Sequence, residues 1–269
     1  MALTRVVQVS DSHLSPHAPY ADENWRAVLD HLDRDPPALV VHTGDISLNG
    51  ADDIADLQHA RQQLNRIGVP WMVIPGNHDI GDFGPTTQPV NDERRQRYIA
   101  VFGGDRWSFR IDNWHMIGLD VQTLVSELPA ASEMWDWLAA QLDETSPTTI
   151  WIHRPLQPTV AGEVDDPNRY VPEPARDRLR ALLASPNVRL IASGHVHQWR
   201  VIDEACKQVW APSTWAALPD RIQPVIGTKT VGIVEHELHS DGSVRSTFVQ
   251  PPSMADVIVG DDFPSPYEH

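Results

Sequence analysis

The chain has 269 residues, 41% of them hydrophobic, and its single cysteine, Cys206, excludes an intramolecular disulfide and a thiolate metal site. Its formal net charge of -16 argues against a nucleic acid polymer as partner, whereas a small anionic substrate stays open because a bound metal reverses the sign locally. No signal-like run and no apolar run of about 18 residues occurs, so we expect a soluble cytoplasmic protein that does not span a membrane.

In the first third of the chain, short runs rich in Val and Ile alternate with amphipathic stretches, which is the pattern of an α/β protein. Strands are predicted at residues 5–9, 39–43 and 71–74, and helices at residues 24–32 and 52–67. Gly68 is the expected end of the second helix, because glycine often follows a helix C-terminus. Residues 81–90, which are dense in Gly, Pro and Thr, are predicted to form a loop.

Farther along, the alternation continues and then gives way to strands. Helices are predicted at residues 92–102, 132–142 and 174–183, and strands within 107–120 and at 148–153 and 188–193. Ser132 is the expected N-cap of its helix, and residues 156–174 read as a long surface loop. From residue 201 the pattern is β, with a hairpin around residues 239–242. We expect one domain over residues 1–269, with a β-rich part at about 198–250 and a loosely held tail at about 251–269.

Polar clusters follow five of the predicted strands. These clusters are Asp11/His13, Asp45, Asn77/His78, His153 and His195/His197. In α/β proteins ligands gather at the carboxyl ends of strands, where loops converge. Side chains at positions i and i+2 of an extended segment point the same way, so Asp11 and His13 are expected to share one partner. The same geometry lets the two histidines of the last cluster reach one cavity. Such oxygen and imidazole donors suit Mn, Fe, Zn or Co.

Five motifs occur in order along the chain. They are Asp11-x-His13, Gly44-Asp45, Gly76-Asn77-His78-Asp79, His153 and Gly194-His195-x-His197. This ordered set resembles the calcineurin-like metallophosphoesterase superfamily, and its size and spacing are similar to those of bacterial class III cyclic-nucleotide phosphodiesterases and the related glycerophosphodiesterases. The resemblance covers residues 5–197 and implies an α/β fold with four layers, an α/β/β/α sandwich. The motifs are specific for the superfamily and poorly specific for the substrate.

The resemblance also implies a pair of transition-metal ions (Mn, Fe or Zn) and a role for each motif residue. Asp11, His13 and His197 would hold the first ion and Asn77, His153 and His195 the second, with the carboxylate of Asp45 bridging both. His78 would not be a ligand. It would stand beside the substrate phosphate, where it stabilises developing charge or protonates the leaving oxygen.

Charge and coordination chemistry agree with that assignment. Two divalent ions bring four positive charges, Asp11 and Asp45 return two negative ones, and imidazole and amide ligands add none. The site therefore stays electropositive inside an acidic protein. Two metals about 3.5–4 Å apart can hold a bridging hydroxide, and a bound water whose pKa falls to about 7 provides the nucleophile at neutral pH.

Residues beside the ligands are candidates for further roles. Arg154 stands where many close relatives of the resembled family have a second histidine, and it either reaches a phosphate or a nucleotide sugar or points to solvent. His17 and Tyr20 lie in a predicted loop after the first motif and are candidates for contact with substrate. Asp79 is a candidate for the carboxylate that orients His78.

The leading hypothesis is a phosphodiesterase that hydrolyses a small phosphodiester, with a cyclic nucleotide favoured, by attack of a metal-bound hydroxide. A glycerophosphodiesterase or generalist phosphoesterase with the same site is the nearest alternative, and a phosphomonoesterase is the third. A nuclease of the superfamily shares the ligands, but the net charge of -16 argues against it. A metal-free interaction scaffold is the alternative from another class. By analogy with relatives, the chain is expected to form a homodimer.

Overall fold

A computed structural model of the chain describes residues 3–84, 86–142, 145–160, 162–204, 206–260 and 262. The helices are α1 (Ala21–Arg34), α2 (Ile54–Leu64), α3 (Asn77–Ile80), α4 (Asp92–Phe102), α5 (Val121–Leu124), α6 (Pro129–Gln141) and α7 (Ala175–Leu183). The strands are β1 (Leu3–Val9), β2 (Leu39–His42), β3 (Trp71–Val73), β4 (Trp107–Ile111), β5 (Trp114–Leu119), β6 (Thr148–Ile152), β7 (Val188–Ser193), β8 (Arg200–Asp203), β9 (Lys207–Trp210), β10 (Ile233–His239) and β11 (Val244–Val249). Within these ranges no helix combines the length and the apolar character needed to cross a membrane.

The first sheet has five strands in the order β11-β10-β1-β2-β3. Its strands β1, β2 and β3 are parallel, so their carboxyl ends meet at one edge of the sheet. β10 pairs antiparallel with both β1 and β11. The hairpin predicted around residues 239–242 is confirmed as the connection between β10 and β11, and Gly242 turns the chain there with a φ of 82°.

The second sheet has six strands in the order β4-β5-β6-β7-β9-β8. Its central strands β5, β6, β7 and β9 are parallel, and β4 and β8 run antiparallel at the two edges. The carboxyl ends of β6 and β7 therefore lie side by side. These are the two strand ends that carry the histidine motifs of the second half of the chain.

Apolar side chains pack the two sheets against each other and against helices on both outer faces. Trp151 of β6 lies in the cluster between the sheets. Leu57 of α2 and Tyr98 of α4 belong to the cluster on the outer face of the first sheet. Leu179 of α7 belongs to the cluster on the outer face of the second sheet. The predicted four-layer α/β/β/α sandwich is therefore confirmed.

Three predicted helices have boundaries that differ by two residues or more, and the first is α1, which spans Ala21–Arg34 instead of residues 24–32. α2 ends at Leu64 rather than near Gly68, and Ile67, which extends the apolar pattern, is buried in the turn that follows the helix. α6 begins at Pro129, so Ser132 lies inside the helix and is not its N-cap. Proline has a fixed φ that suits the first helical position, which explains the earlier start.

Two of the residues after 250 are buried in apolar clusters. Met254 is buried in the cluster beneath the helices of the first sheet. Val259 is buried in a cluster with Trp215, and its backbone N–H donates a 3.0 Å hydrogen bond to the carbonyl oxygen of Ala217. Met254 and Val259 thus anchor parts of residues 251–260, and the loosely held tail stays a prediction. Residues 261 and 263–269 lie outside the described part of the chain.

Candidate metal centre

The predicted ligands come together at the carboxyl ends of strands from both sheets. Asp11 follows β1, Asp45 follows β2, and Asn77 begins α3 after β3. His153 follows β6, and the last two histidines follow β7. Two groups of three have ligand atoms within 4.8 Å of one another: Asp11, His13 and His197, and Asp45, His153 and His195. These are called the first and second donor groups below.

The backbone of most of these ligands is left-handed rather than extended. Positive φ angles occur at Asp11 (51°), His13 (45°), Asp45 (50°), His195 (69°) and His197 (51°). The structure brings Asp11 and His13 into one group, but the extended geometry from which this was predicted is wrong, and a shared partner stays a prediction. Left-handed backbone costs a non-glycine residue free energy, and it persists at functional sites only where the surroundings hold it.

The first donor group joins the ends of β1 and β7. The Nε2 atoms of His13 and His197 are 3.2 Å apart, and His197 Nε2 lies 3.4 Å from Asp11 Oδ1. The Nδ1 atom of His197 donates a 2.8 Å hydrogen bond to the carbonyl oxygen of Ala216. That bond fixes the tautomer, so the lone pair on Nε2 faces the other ligands, as in most metal-binding histidines.

The second donor group joins the ends of β2, β6 and β7, and Asn77, which follows β3, lies beside it. The Nε2 atom of His153 lies 3.2 Å from Asp45 Oδ2 and 3.2 Å from the Oδ1 atom of Asn77. Its Nδ1 atom donates a 2.7 Å hydrogen bond to the carbonyl oxygen of Thr43, which again directs the Nε2 lone pair inward. Asn77 therefore joins this group as predicted.

His195 connects the two donor groups. Its backbone N–H donates a 3.0 Å hydrogen bond to Asp11 Oδ2. Its Nε2 atom donates a 2.7 Å hydrogen bond to the carbonyl oxygen of Asn168, so Nδ1 carries the lone pair that can bind a cation. Both groups thus consist of oxygen and imidazole nitrogen donors, a set that fits borderline transition metals.

Three motif glycines lie where the segments that carry ligands approach most closely. A Cβ atom added at Gly76 would lie 2.8 Å from Asp45 Cγ, and one added at Gly194 would lie 2.5 Å from Asp11 Oδ2. One added at Gly44, where φ is 94°, would lie 2.6 Å from a ring nitrogen of His153. Real Cβ atoms essentially never come closer than 3.0 Å, so any larger residue would displace a ligand.

Comparison with known proteins identifies the family. Residues 4–199 match the model of the family described as calcineurin-like phosphoesterase. The chain belongs to this family. The phosphoesterase is 27% identical over 253 residues to a probable cyclic nucleotide phosphodiesterase of Synechococcus sp., and the match covers 90% of each chain. It is 28% identical over 209 residues to a probable glycerophosphodiester phosphodiesterase, GpdQ, of Arcobacter nitrofigilis, covering 72% of this chain and 71% of the relative.

A solved structure supports the same fold. A dimetal phosphatase from Danio rerio superposes with a TM-score of 0.61 at 14% identity, covering 92% of this phosphoesterase and 99% of that chain. At this identity the likeness concerns the fold alone. Together with the family match and the relatives, it confirms the predicted superfamily, the predicted layers and the prediction of a metal-dependent phosphodiester hydrolase.

Burial and mutual contact shift the pKa values of the candidate ligands, and the shifts of His13, His195 and Asp45 suit cation binding whereas that of His153 opposes it. Burial lowers the pKa of both His13 and His195 well below the ordinary value, which keeps them in the neutral form that binds metals. Burial alone would raise the pKa of Asp45, but the nearby His153 and His78 outweigh it and hold that pKa well below the ordinary value. Burial opposes the charge on His153, but Asp45 outweighs it and raises the pKa to about 9. A cation bound here would displace that proton.

His78 lies half-buried at the border of the donor groups. Its Nδ1 atom donates a 2.7 Å hydrogen bond to the carbonyl oxygen of Leu48, which orients the ring. Its backbone N–H donates a 2.8 Å hydrogen bond to Asp45 Oδ1, and its ring packs edge-on at 4.7 Å from the ring of His13. A ring nitrogen also lies within 4.8 Å of ligand atoms of His13 and Asp45. Its role beside the phosphate rather than on a metal therefore stays a prediction.

Asp79 does not orient His78 as predicted. Its buried carboxylate accepts hydrogen bonds from the backbone N–H groups of Ile46 (3.2 Å), Ser47 (2.9 Å) and Gly76 (2.9 Å). Asp79 thus ties the loop after β2 to the loop after β3. It supports the backbone beneath the ligands instead of the ring beside them.

Arg154 is buried, so the alternative that it points to solvent is wrong. Its Nη2 atom donates hydrogen bonds to both carboxylate oxygens of Asp82 at 2.8 Å. Its Nη1 atom donates a 2.7 Å hydrogen bond to the carbonyl oxygen of Pro167. A direct contact between Arg154 and substrate stays a prediction.

His17 and Tyr20 have different neighbours. His17 is exposed, with Nε2 at 3.8 Å from Asp53 Oδ2. Tyr20 stacks on Trp215 with ring centroids 6.3 Å apart, and the Trp215 ring lies 4.8 Å from that of His13. No pattern in the sequence indicates Trp215 as a wall of the site. Substrate contact by His17 or Tyr20 stays a prediction.

Proposed function

We propose that this phosphoesterase holds two transition-metal ions and hydrolyses a small phosphodiester, with a cyclic nucleotide as the favoured substrate. The observation that carries the proposal is the position of Asp45. Its carboxylate lies within 4.8 Å of ligand atoms of His153 and His195 in the second donor group. It lies within the same distance of a ligand atom of His13 in the first. One carboxylate that reaches both groups is what a two-metal centre requires.

Each residue of the centre has an assigned role in the proposal. Asp11, His13 and His197 would hold one ion and Asn77, His153 and His195 the other, with Asp45 shared. When bound, the ions supply Lewis acidity, attract phosphate oxygens and make water acidic enough to act as the nucleophile at neutral pH. The chain returns only two carboxylate charges, so the centre attracts an anion although the protein is acidic.

His78 would be the acid–base group of the chain. His78 Nδ1 donates its hydrogen bond to the Leu48 carbonyl oxygen. Nε2 is therefore the nitrogen that would exchange a proton or donate a hydrogen bond at the substrate. Transfer of a proton to the leaving oxygen would prevent the build-up of negative charge there. A hydrogen bond to a phosphate oxygen would stabilise the charge that develops as phosphorus is attacked.

Charge and relatives favour a small diester. The formal net charge of -16 repels a polyanion at long range. The relative named a probable cyclic nucleotide phosphodiesterase matches 90% of this chain, and the relative named a probable glycerophosphodiester phosphodiesterase matches 72%. The broader match favours a cyclic nucleotide, and a glycerophosphodiester is the second candidate.

The experiment is hydrolysis by metal-reconstituted protein across a small panel, with bound metal measured in the same samples. The panel contains 3′,5′-cyclic AMP, 2′,3′-cyclic AMP, glycerophosphocholine, an aryl phosphodiester and an aryl phosphomonoester. We expect metal-dependent turnover of diesters, fastest for a cyclic nucleotide, and none in Asp45→Ala. Faster turnover of the monoester than of every diester would contradict the proposal. Absence of bound metal would support the metal-free scaffold instead.

We also propose that the chain forms a homodimer, by analogy with relatives, and that it acts in the cytoplasm, as expected from its sequence. Sedimentation of the purified chain over a range of concentrations tests the homodimer, and a monomer throughout would contradict it. Fractionation of cells that produce the chain tests the location.

A further inference from the structure

Arg154 is a buried cation beside the metal centre that the proposed function does not use. Its side chain is 1% exposed. In addition to its hydrogen bonds to Asp82 and the Pro167 carbonyl oxygen, its guanidinium carbon lies 4.5 Å from the centroid of the Phe83 ring. The guanidinium therefore joins two loops that are far apart in the sequence.

Two of the segments that Arg154 joins carry ligands of the second donor group. Arg154 directly follows His153 in the chain. Asp82 lies just beyond α3, the helix that Asn77 begins. The residue before it, Gly81, donates a 2.8 Å backbone hydrogen bond to the Asn77 carbonyl oxygen. Asp82 is thus connected to Asn77 through one hydrogen-bonded turn of backbone.

The third segment, which contains Pro167, orients His195 of that group. Pro167 accepts from Arg154 at 2.7 Å, and the next carbonyl oxygen in the chain, that of Asn168, accepts the 2.7 Å hydrogen bond from His195 Nε2. This second bond determines that Nδ1 of His195 carries the lone pair. Arg154 therefore contacts the two segments that hold Asn77 and His195, and it directly follows His153 in the chain.

The first donor group is held by other contacts. The backbone N–H of Asp11 donates a 3.0 Å hydrogen bond to the carbonyl oxygen of Gly44. His197 Nδ1 donates to the carbonyl oxygen of Ala216 at 2.8 Å. Neither contact involves Arg154. The backbone N–H of His195 links the two groups through Asp11 Oδ2, but their other supports differ.

Stability alone does not account for an arginine in this place. Removing a guanidinium from water costs several kcal/mol, and apolar residues of similar volume are often as stabilising as a buried ion pair. Arginine can donate two hydrogen bonds to a carboxylate and a third to a carbonyl oxygen while its planar guanidinium stacks on an aromatic ring. Lysine cannot make all of these contacts at once. The contacts of Arg154 use all of these properties.

We propose that Arg154 is a positioning residue for the second metal ion, because its guanidinium holds the segments of Asn77, His153 and His195 where one cation can meet all three. The inference rests on the two-metal function proposed above. It has a direction: loss of Arg154 weakens binding of one metal equivalent, the ion of the second donor group, and leaves the other equivalent unchanged.

The test is a calorimetric titration of Mn²⁺ into the metal-depleted full-length protein and its Arg154→Ala variant, with no substrate present. We expect the Kd of one of the two equivalents to rise about 10–100-fold, the usual loss when a partner of a metal ligand is removed. The other equivalent should keep its Kd. Arg154→Lys, which retains the charge but not the planar fork, should fall between the two.

Arg176 provides the matched control. It is also buried, at 3% exposure, and donates to both carboxylate oxygens of Asp165 at 2.7 and 3.0 Å in the same long loop. Arg176→Ala should leave both equivalents unchanged. Equal weakening of both equivalents in Arg154→Ala, or no weakening of either, would overturn the inference. If the unaltered protein binds fewer than two equivalents, the two-metal function itself fails, and the inference fails with it.

Discussion

Gly76→Ala tests whether the close approach of two loops creates the metal centre. The backbone of Gly76 has φ -106° and ψ -173°, which any residue adopts, so the substitution acts only through its added methyl group. That methyl carbon would lie 2.8 Å from Asp45 Cγ and closer still to the Asp45 backbone nitrogen. Ordinary contact begins at 3.4 Å, so the loop that carries Asp45 must move. We take the movement as about 1 Å, and a misplacement of that size costs about 10²-fold in rate.

The assay combines metal content with hydrolysis of an aryl phosphodiester. Gly76→Ala should lower kcat/KM about 10²-fold and reduce the bound metal, because Asp45 serves both donor groups. Gly118→Ala introduces a comparable clash, 2.6 Å from Trp107 Nε1, with a residue that is no ligand. It should lower the free energy of unfolding by about 1–3 kcal/mol, as overpacking does, while metal content is kept. Unchanged metal content and rate in Gly76→Ala would refute the reasoning.

Three further predictions concern single side chains. Asp45→Ala should remove both metals and all activity, and metal analysis that finds either ion retained would contradict a shared carboxylate. His78→Ala should retain both metals and lower kcat about 10²–10⁴-fold, whereas lost metal with unchanged kcat would make His78 a ligand. Burial lowers the pKa of His236 to about 3, so this imidazole, bonded to Gln8 and Ser246, binds a proton on unfolding in mild acid. Stability from neutral His236 is present above about pH 6.5 and is lost as pH falls. Between pH 7 and pH 5, the free energy of unfolding measured with urea should fall about 2 kcal/mol more for the unaltered protein than for His236→Asn. The same dependence on pH in both proteins would refute this.

The clustering of the candidate ligands could be predicted from the sequence because their signals are local. Short apolar runs mark the strands, and polar residues directly after them mark the carboxyl ends where parallel strands bring side chains together. Asp11, Asp45 and His153 each follow a strand in the structure as they do in the pattern. The four layers follow from the same alternation of strand and helix.

The supports of the ligands could not be predicted, because most of them are backbone carbonyl oxygens. Backbone carbonyl oxygens accept hydrogen bonds from the rings of three candidate ligands: Thr43 from His153, Asn168 from His195 and Ala216 from His197. The carbonyl oxygen of Leu48 does the same for His78. Every residue has a carbonyl oxygen, so residue type carries no signal of this role. The role depends on how distant loops meet. Asp79 illustrates the same limit, since its position beside His78 in the sequence suggested a contact that the fold directs elsewhere.

The left-handed backbone of the candidate ligands explains why the sequence predicts which residues cluster but not the geometry in which they do so. Five ligands adopt positive φ, and each such residue costs on the order of 1–3 kcal/mol. Such conformations are kept only if the surroundings determine them. Three kinds of contact supply that constraint here: the close packing at the glycines, the Asp79 carboxylate, and the carbonyl oxygens that hold the histidine rings. Because this strain is borne by the folded chain, the ligands are already oriented before a cation arrives. Less ordering therefore accompanies binding, and the affinity of the centre depends on residues that never touch the metal.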